Sequence, residues 1–259
     1  MAFLRTPAVV LKSRRWGEAD RIVTFYTLQF GKLRGVARGV RKPKSRFGSA
    51  LEPFVLCELH VFEKGNDPLC RITHADIRES NVVLREDLAL MAGAGRLVNL
   101  LDAVTAENDA GPKAFDSLVL GLRALRESDD PLLTTILFQV RLLGHTGFRP
   151  QTDHCAVCGL VEKQEIGHFS AVAGGMVCPD CAARRPDHCQ EMSRGAFAFL
   201  QQALHLPEAL LMRLKASGQV RHELDRVIET YVNVVAGRRL PPADFLVAEP
   251  RPQPYRTPG

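Results

Sequence analysis

The chain has 259 residues, room for one large domain or two to three small ones. With 46% hydrophobic and 24% charged residues it has the make-up of a globular chain, not a disordered or fibrous one, and no apolar run approaches the ~18–20 residues of a membrane span. The formal net charge of +5 is unevenly placed: residues 1–46 hold twelve Lys or Arg against only Glu18 and Asp20, which leaves the remainder net acidic.

Residues 8–80 read as β. AVVLKSR and RIVTFYT are rich in β-branched and aromatic residues, with Trp16-Gly17-Glu18 as the turn between them. KLRGVAR follows. In FVLCELHVFEK, Val55, Cys57, Leu59 and Val61 alternate with Leu56, Glu58, His60 and Phe62. PLCRITHADI adds a fifth strand, led by a turn at Gly65-Asn66-Asp67. Five short strands within residues 1–80 have the size and count of an OB-fold barrel.

The third strand opens the most basic part of the chain. Lys32, Arg34, Arg38, Arg41, Lys42, Lys44 and Arg46 fall within fifteen positions that hold no acid. Lys32 and Arg34 alternate on a strand and are expected on one face. The other five extend the charge into a loop whose glycines let backbone approach phosphate. Such a surplus points to a polyanion partner; a solvated basic face is the plain alternative. Phe47 is the nearest aromatic, so phosphate contacts are expected to outweigh base readout.

The pattern then changes period. Apolar residues from Val82 to Val104 have helical spacing, with Gly93 and Gly95 marking a point where another backbone comes close. Further helices are predicted over 113–127, over 131–146 behind Pro131, after Ser193 as a cap, in PEALLMRLKAS, and from Val220 to Ala236. They give a helical domain over 81–240, interrupted by a Cys-rich insertion at 150–190. The tail, 241–259, has six prolines in nineteen residues and reads as extended or disordered.

The insertion carries five of the seven cysteines. Cys155 and Cys158 form one Cys-x-x-Cys pair, Cys178 and Cys181 another, nineteen residues on. Two such knuckles are a zinc signature, because two residues between thiolates let one tight turn present both sulfurs to one ion. Gly159 stands where a knuckle needs positive φ, and the intervening EIGHFSAVAGGMV can form a hairpin that returns the second pair. Four thiolates fill a tetrahedral shell, so one zinc with a structural role is expected. A rubredoxin-like iron would use the same sulfurs; a redox dithiol needs only one pair. Cys189, His154, His168 and His188 lie outside the pattern, and Cys57 and Cys70 read as small core residues. An odd cysteine count with two close pairs does not suit a secreted disulfide framework. The first residues, MAFLRTPAVVLKSRRW, lack the apolar segment of a signal peptide. A cytoplasmic location is expected.

No motif for catalysis appears. Gly-x-x-x-x-Gly-Lys-Ser/Thr and His-Glu-x-x-His are absent, and the Gly-Ala-Gly at 93–95 lies in a helical pattern, not after a strand. A zinc deaminase would need an open zinc position and a neighbouring Glu. Glu52, Glu58 and Glu63 read as solvated strand carboxylates. The expectation is a binding protein, not an enzyme.

PAVVLKSRRWGEADRIVTFYT followed by GKLRGVARGVRKPKSRFGSALEPF resembles the N-terminal region of the RecO family of bacterial recombination and DNA-repair mediators. The order of β domain, helical domain and Cys-rich insertion also matches, to about residue 240. The resemblance implies an α+β multidomain protein: a five-stranded OB-fold, then an all-helical domain with an inserted zinc module. It implies binding of single- and double-stranded DNA and annealing of complementary strands without ATP. It further implies work with RecR to load RecA on strands coated by single-stranded-DNA-binding protein, in the cytoplasm at the nucleoid. Two other readings remain at this point: an adaptor whose basic face meets acidic protein surfaces, and a zinc-ribbon regulator with sequence-specific DNA binding.

Overall fold

The computed structural model describes residues 2–42, 45–63, 69–161, 166–216 and 218–240. Lys44, the turn predicted at Gly65-Asn66-Asp67 and the Pro-rich tail lie outside them.

Five strands close a barrel in the order β1-β2-β3-β5-β4: β1 (Ala2–Trp16), β2 (Asp20–Thr27), β3 (Gly31–Ala37), β4 (Leu56–Glu63) and β5 (Cys70–Glu79). Alternate residues such as Val10, Val23, Phe25, Leu59, Val61 and Ile72 fill it. β1 starts well before residue 8 because its first half pairs with β4, from Ala2↔Glu63 to Val9↔Leu56. Local pattern does not announce a pairing so far apart in sequence. Residues 47–55 plug the barrel with Phe47, Ala50, Leu51 and Val55.

The seam between β3 and β5 is short. Among the described residues only Gly35↔Cys70 and Val36↔Arg71 pair, in parallel. Gly35 permits the approach: a Cβ there would lie 2.8 Å from both Cys70 Sγ and Ile72 Cγ1. The N-terminal half of β3 is covered instead by the segment 105–111. Asn108 N–H donates to Lys32 O at 3.0 Å. The Asp109 carbonyl oxygen lies 2.0 Å from where a Cβ on Gly31 (φ +65°) would stand, so a side chain is excluded there.

The helices begin with α1 (Val83–Glu86) and α2 (Leu88–Val104). The sequence pattern predicts one helix; Asp87 divides it. Its backbone is extended, and its carboxylate caps Ala89 and Leu90 N–H at 2.8 and 2.9 Å. Next come α3 (Pro112–Arg126) and α4 (Pro131–His145). The close approach at Gly93 is to the Thr135 hydroxyl of α4, 2.5 Å from an ideal Cβ, so it involves a side chain and not a backbone. The insertion forms β6 (Ile166–Ser170), β7 (Gly175–Val177), α5 (Pro179–Ala183) and β8 (Gln190–Ser193), its sheet ordered β7-β6-β8. β8 runs directly into α6 (Arg194–His205), which Ser193 caps through Ala196 N–H. In the PEALLMRLKAS segment only one turn is helical, α7 (Glu208–Leu211). α8 (Gly218–Val235) closes the bundle. The buried Glu223 carboxylate pins it by accepting from Ser193 N–H and Oγ at 2.8 and 2.7 Å.

The barrel is welded to the helices. Val9, Leu11, Tyr26, Phe54 and Leu56 leave the barrel interior and join Leu97, Leu101, Leu118 and their neighbours in one core, which continues through Phe169 and Met192 into the insertion. At the junction Asp102 of α2 accepts two lysines from the barrel. Lys12 Nζ lies 3.0 Å from Oδ2 and Lys32 Nζ 3.5 Å from Oδ1, and Lys32 also donates to the Asp102 carbonyl at 2.6 Å. These side chains are 10%, 13% and 19% exposed for Lys12, Lys32 and Asp102. At that depth the three charges depend on each other. Removing the shared carboxylate by Asp102→Ala should cost about 3 kcal/mol in urea unfolding, the usual effect of stranding a buried charge. A loss below about 1 kcal/mol would mean that water already screens the lysines. Replacing the two lysines by Met in the same variant should recover most of the loss.

A second junction joins β5 to α3. Arg123 Nε donates to Glu79 Oε1 at 2.9 Å, and Arg126 Nη1 lies 3.3 Å from Oε2. The hydrogen bond from Arg123, with the two positive charges outweighing partial burial, holds the Glu79 carboxyl below its ordinary value. Its contribution is therefore full above the ordinary carboxylate pKa and is lost as pH falls through the lowered one. Glu79→Gln should therefore lower stability near neutral pH, where the contribution is full, and converge with the parent in acid, which flattens the acid limb; an unaltered acid limb in denaturant titrations would contradict this.

Candidate nucleic-acid interface and metal centre

The predicted basic residues separate into groups. Lys32 is held in the Asp102 clamp and is not available to a phosphate, so its expected place beside Arg34 on an open face is corrected by what covers the strand. Arg34 lies half exposed, its Nε 2.5 Å from Glu107 Oε1 of the same covering segment. Both pairings join residues some seventy positions apart, and the sequence carries no sign of them.

Arg38, Arg41, Lys42 and Arg46 are exposed. Arg38 and Lys42 form no ion pair among the described residues. Arg41 Nη1 donates to the neutral Glu18 carbonyl at 2.8 Å, which fixes its position, and it too forms no ion pair among the described residues. The Arg46 guanidinium carbon lies 5.0 Å from the centre of the Phe47 ring. That ring is a buried barrel plug, 3% exposed, and is unavailable as an external aromatic contact.

The turn at 38–42 is bound to the tip of the β1–β2 hairpin. Gly39 N–H donates to Asp20 Oδ1 at 2.8 Å, Arg41 N–H to Ala19 O at 3.1 Å, and the Arg41 guanidinium bond completes the link. Arg14, Arg15 and Trp16 on that hairpin are all exposed. The cations of two chain segments thus share one end of the sheet, beyond the half covered by α2 and residues 105–111. Reading the basic stretch alone misses this second segment; the Arg-Arg-Trp run immediately before the turn was the available signal.

The metal-ligand prediction comes together in space. The sulfurs of Cys155, Cys158, Cys178 and Cys181 all lie within 4.8 Å of one another. Cys158 and Cys178 are 3.7 Å apart. In the first knuckle Gly159 N–H donates to Cys155 O at 2.9 Å, and Gly159 has φ +76°. The β6–β7 hairpin returns the chain, and Cys178 and Cys181 flank the first turn of α5. Cys189 packs beside this cluster but is not one of the four. Burial pushes the Cys57 thiol up to about 12, in keeping with a barrel-core side chain.

Residues 1–81 match the family model described as Recombination protein O N terminal, and residues 85–242 match Recombination protein O C terminal. The chain belongs to the RecO family. A DNA repair protein RecO of Thermoanaerobacter sp. (strain X514) is 31% identical over 90% of this chain and 92% of its own length. That of Symbiobacterium thermophilum is 32% identical over 95% and 97%, and that of Desulforamulus reducens 30% identical over 95% and 94%. The closed N-terminal barrel is the RecO OB-fold, and the protein is a member of a DNA-repair family. Among the described residues no helix is long and apolar enough to cross a membrane.

The four cysteines of this RecO chain suit a metal dication. Tetrahedral metal–sulfur bonds of about 2.3 Å require sulfurs about 3.8 Å apart, close to the Cys158–Cys178 separation. Without an ion the thiols cannot all ionise. Burial works against charge on Cys155, yet N–H groups of Cys178, Cys158 and Val157 and the Cys158 thiol bring it down to about 6. Cys181 is pushed up to about 12, first by its bond to Cys178 and then by burial. A bound dication would supply the charge that holds all four as thiolates. No fifth position remains, so its chemistry here is that of a cross-link.

The module is less self-reliant than a free zinc knuckle. Phe169 meets Tyr231 of α8 edge-on at 5.6 Å, and Gln201 of α6 donates to Thr152 O at 2.8 Å. Cys155→Ala or Cys178→Ala should abolish bound metal, measured by elemental analysis of purified protein. Protease should then cut first within 152–161 or 178–189, while β6 stays anchored through Phe169. Retention of a full equivalent of metal by the double variant would remove the four-sulfur site.

Proposed function

We propose that this RecO chain is a recombination mediator that binds single- and double-stranded DNA through the exposed basic turn and hairpin. It anneals complementary strands without ATP. It acts with RecR to load RecA on strands coated by single-stranded-DNA-binding protein, in the cytoplasm at the nucleoid. The observation that carries the reading is the exposed charge of Arg38, Arg41 and Lys42, none in an ion pair among the described residues, on a turn bound to the hairpin that presents Arg14. Arg46 extends the same strip.

The mechanism requires no bond to be made or broken, and we assign no catalytic residue. Two single strands repel each other because each carries a phosphate charge at every nucleotide. Cations fixed on one rigid surface lower that repulsion, raise the local strand concentration and let base pairing proceed by encounter. Phosphate contacts carry no sequence information, so annealing should be general. The four-thiolate ion is zinc in this reading and keeps the module folded; the metal takes no part in strand exchange. The absence of a Gly-x-x-x-x-Gly-Lys-Ser/Thr loop supports independence from nucleotide hydrolysis.

Arg38→Glu, Arg41→Glu and Lys42→Glu together should weaken binding of DNA at least about tenfold without loss of fold by circular dichroism. Lys32 is left unchanged because its loss would strike stability first. In the corresponding Ala variant the logarithmic salt slope on single strands should become shallower by roughly 0.7 for each phosphate that is no longer neutralised. Unchanged affinity and slope in the folded Glu variant would refute this interface. Annealing should run at one rate with and without ATP; a rate that depends on hydrolysis would refute the ATP-independent mechanism.

A further inference from the structure

Trp16 is the one tryptophan in the chain, and it is 51% exposed. It is the last residue of β1, directly before Gly17, whose backbone has open space around it where a Cβ would stand. Its cross-strand neighbour is Asp20, whose carboxylate is occupied by the Gly39 N–H. The indole therefore stands at the outer end of the hairpin, beside the turn that carries Arg38, Arg41 and Lys42.

An exposed apolar side chain by itself means little. The surroundings give this one a meaning. A protein-docking surface gathers several apolar residues into a patch. Among the described large apolar residues that are exposed, Phe3 lies at the far end of β1, where that strand pairs with β4, and none other than Trp16 lies on the paired β1–β2 hairpin, residues 8–27, or on residues 31–47. Around the ring are cations: Arg14 two residues before it on the same side of the strand, and the basic turn attached to the hairpin tip. Two acids share the tip, Glu18, which is exposed, and Asp20, against five cations at Arg14, Arg15, Arg38, Arg41 and Lys42. A solitary aromatic within a cationic surface matches a nucleotide, which has a flat apolar face and a phosphate on each side.

We propose that Trp16 stacks on an unpaired nucleobase while the turn at 38–42 holds the adjoining phosphates, so that the hairpin tip favours single-stranded over paired DNA. This rests on the reading of the basic surface as the DNA interface. A base inside a duplex has both faces covered by its neighbours and has none to offer an indole. Phosphates are available in both forms. The cations should therefore bind either form, and Trp16 should add affinity only where a base is free.

The sole tryptophan makes the test direct. Selective excitation of the full chain reports on Trp16 alone. A single-stranded thymidine oligonucleotide should quench that emission saturably, whereas a blunt duplex of equal length and inorganic polyphosphate should quench it far less at equal occupancy. By fluorescence anisotropy of labelled DNA, Trp16→Ala should lose roughly tenfold in single-strand affinity and less than about twofold for the duplex. Trp16→Phe should recover part of the loss. The salt slope should not change in Trp16→Ala, because every phosphate-binding cation is still in place. Thermal unfolding checks that both variants fold, as expected for a half-exposed side chain. Equal loss for both DNA forms, or single-strand binding with neither quenching nor sensitivity to Trp16→Ala, would overturn the stacking role and leave the basic interface standing. That second outcome is also the one expected if the ring serves a protein partner. Failure of the parent protein to bind any of the probes would remove both readings.

Discussion

The carboxylate of Asp102, held between Lys12 and Lys32, marks the constraint on which the rest of the molecule depends. One side of the barrel is buried against helices, and its charges must be matched at the contact. Barrel residues Val9, Leu11, Tyr26 and Phe54 enter the helical core there, so the domains cannot move apart without exposing apolar surface and stranding two lysines. Covering that half of the sheet leaves the hairpin tip and the 38–42 turn as the open, cationic end.

This arrangement separates charge that holds the protein together from charge that faces outward. Lys32 and Arg34 meet acids from α2 and the segment after it, so their contribution to the outer field is cancelled nearby. Arg41 is oriented by a neutral carbonyl, which fixes direction without cancelling charge. A cation held this way loses less freedom on meeting a phosphate than one on a free loop, and it keeps its full attraction.

The Cys-rich insertion obeys the same economy of small modules. Its own apolar cluster consists of little beyond Cys155, Val177, Cys178, Cys181 and Ala182. The sulfur ligands are therefore also its core. Phe169 and Met192 point the other way, into the core shared with α6 and α8. The module is held from beneath by the helical domain, and a metal ion on its four cysteines would hold it from within.

Much of this was legible in the sequence. The change from alternating to helical period separated barrel from helices, because each period is set by the backbone geometry of one element. The two Cys-x-x-Cys pairs named the four cysteines whose sulfurs cluster, because knuckle spacing is a local requirement of a tetrahedral ion. The N-terminal motif string carried the family. What tertiary structure alone decided was the use of each charge. Lys32 and Arg38 are six residues apart and look equivalent in the sequence, yet one is buried against Asp102 and the other faces water. Phe47 looked like the aromatic beside the basic stretch and is a barrel plug, while Trp16, read as part of a turn, holds the exposed ring. Burial and pairing are set by residues distant along the chain, α2 and 105–111 closing over one half of the sheet, and no local pattern encodes which half that is.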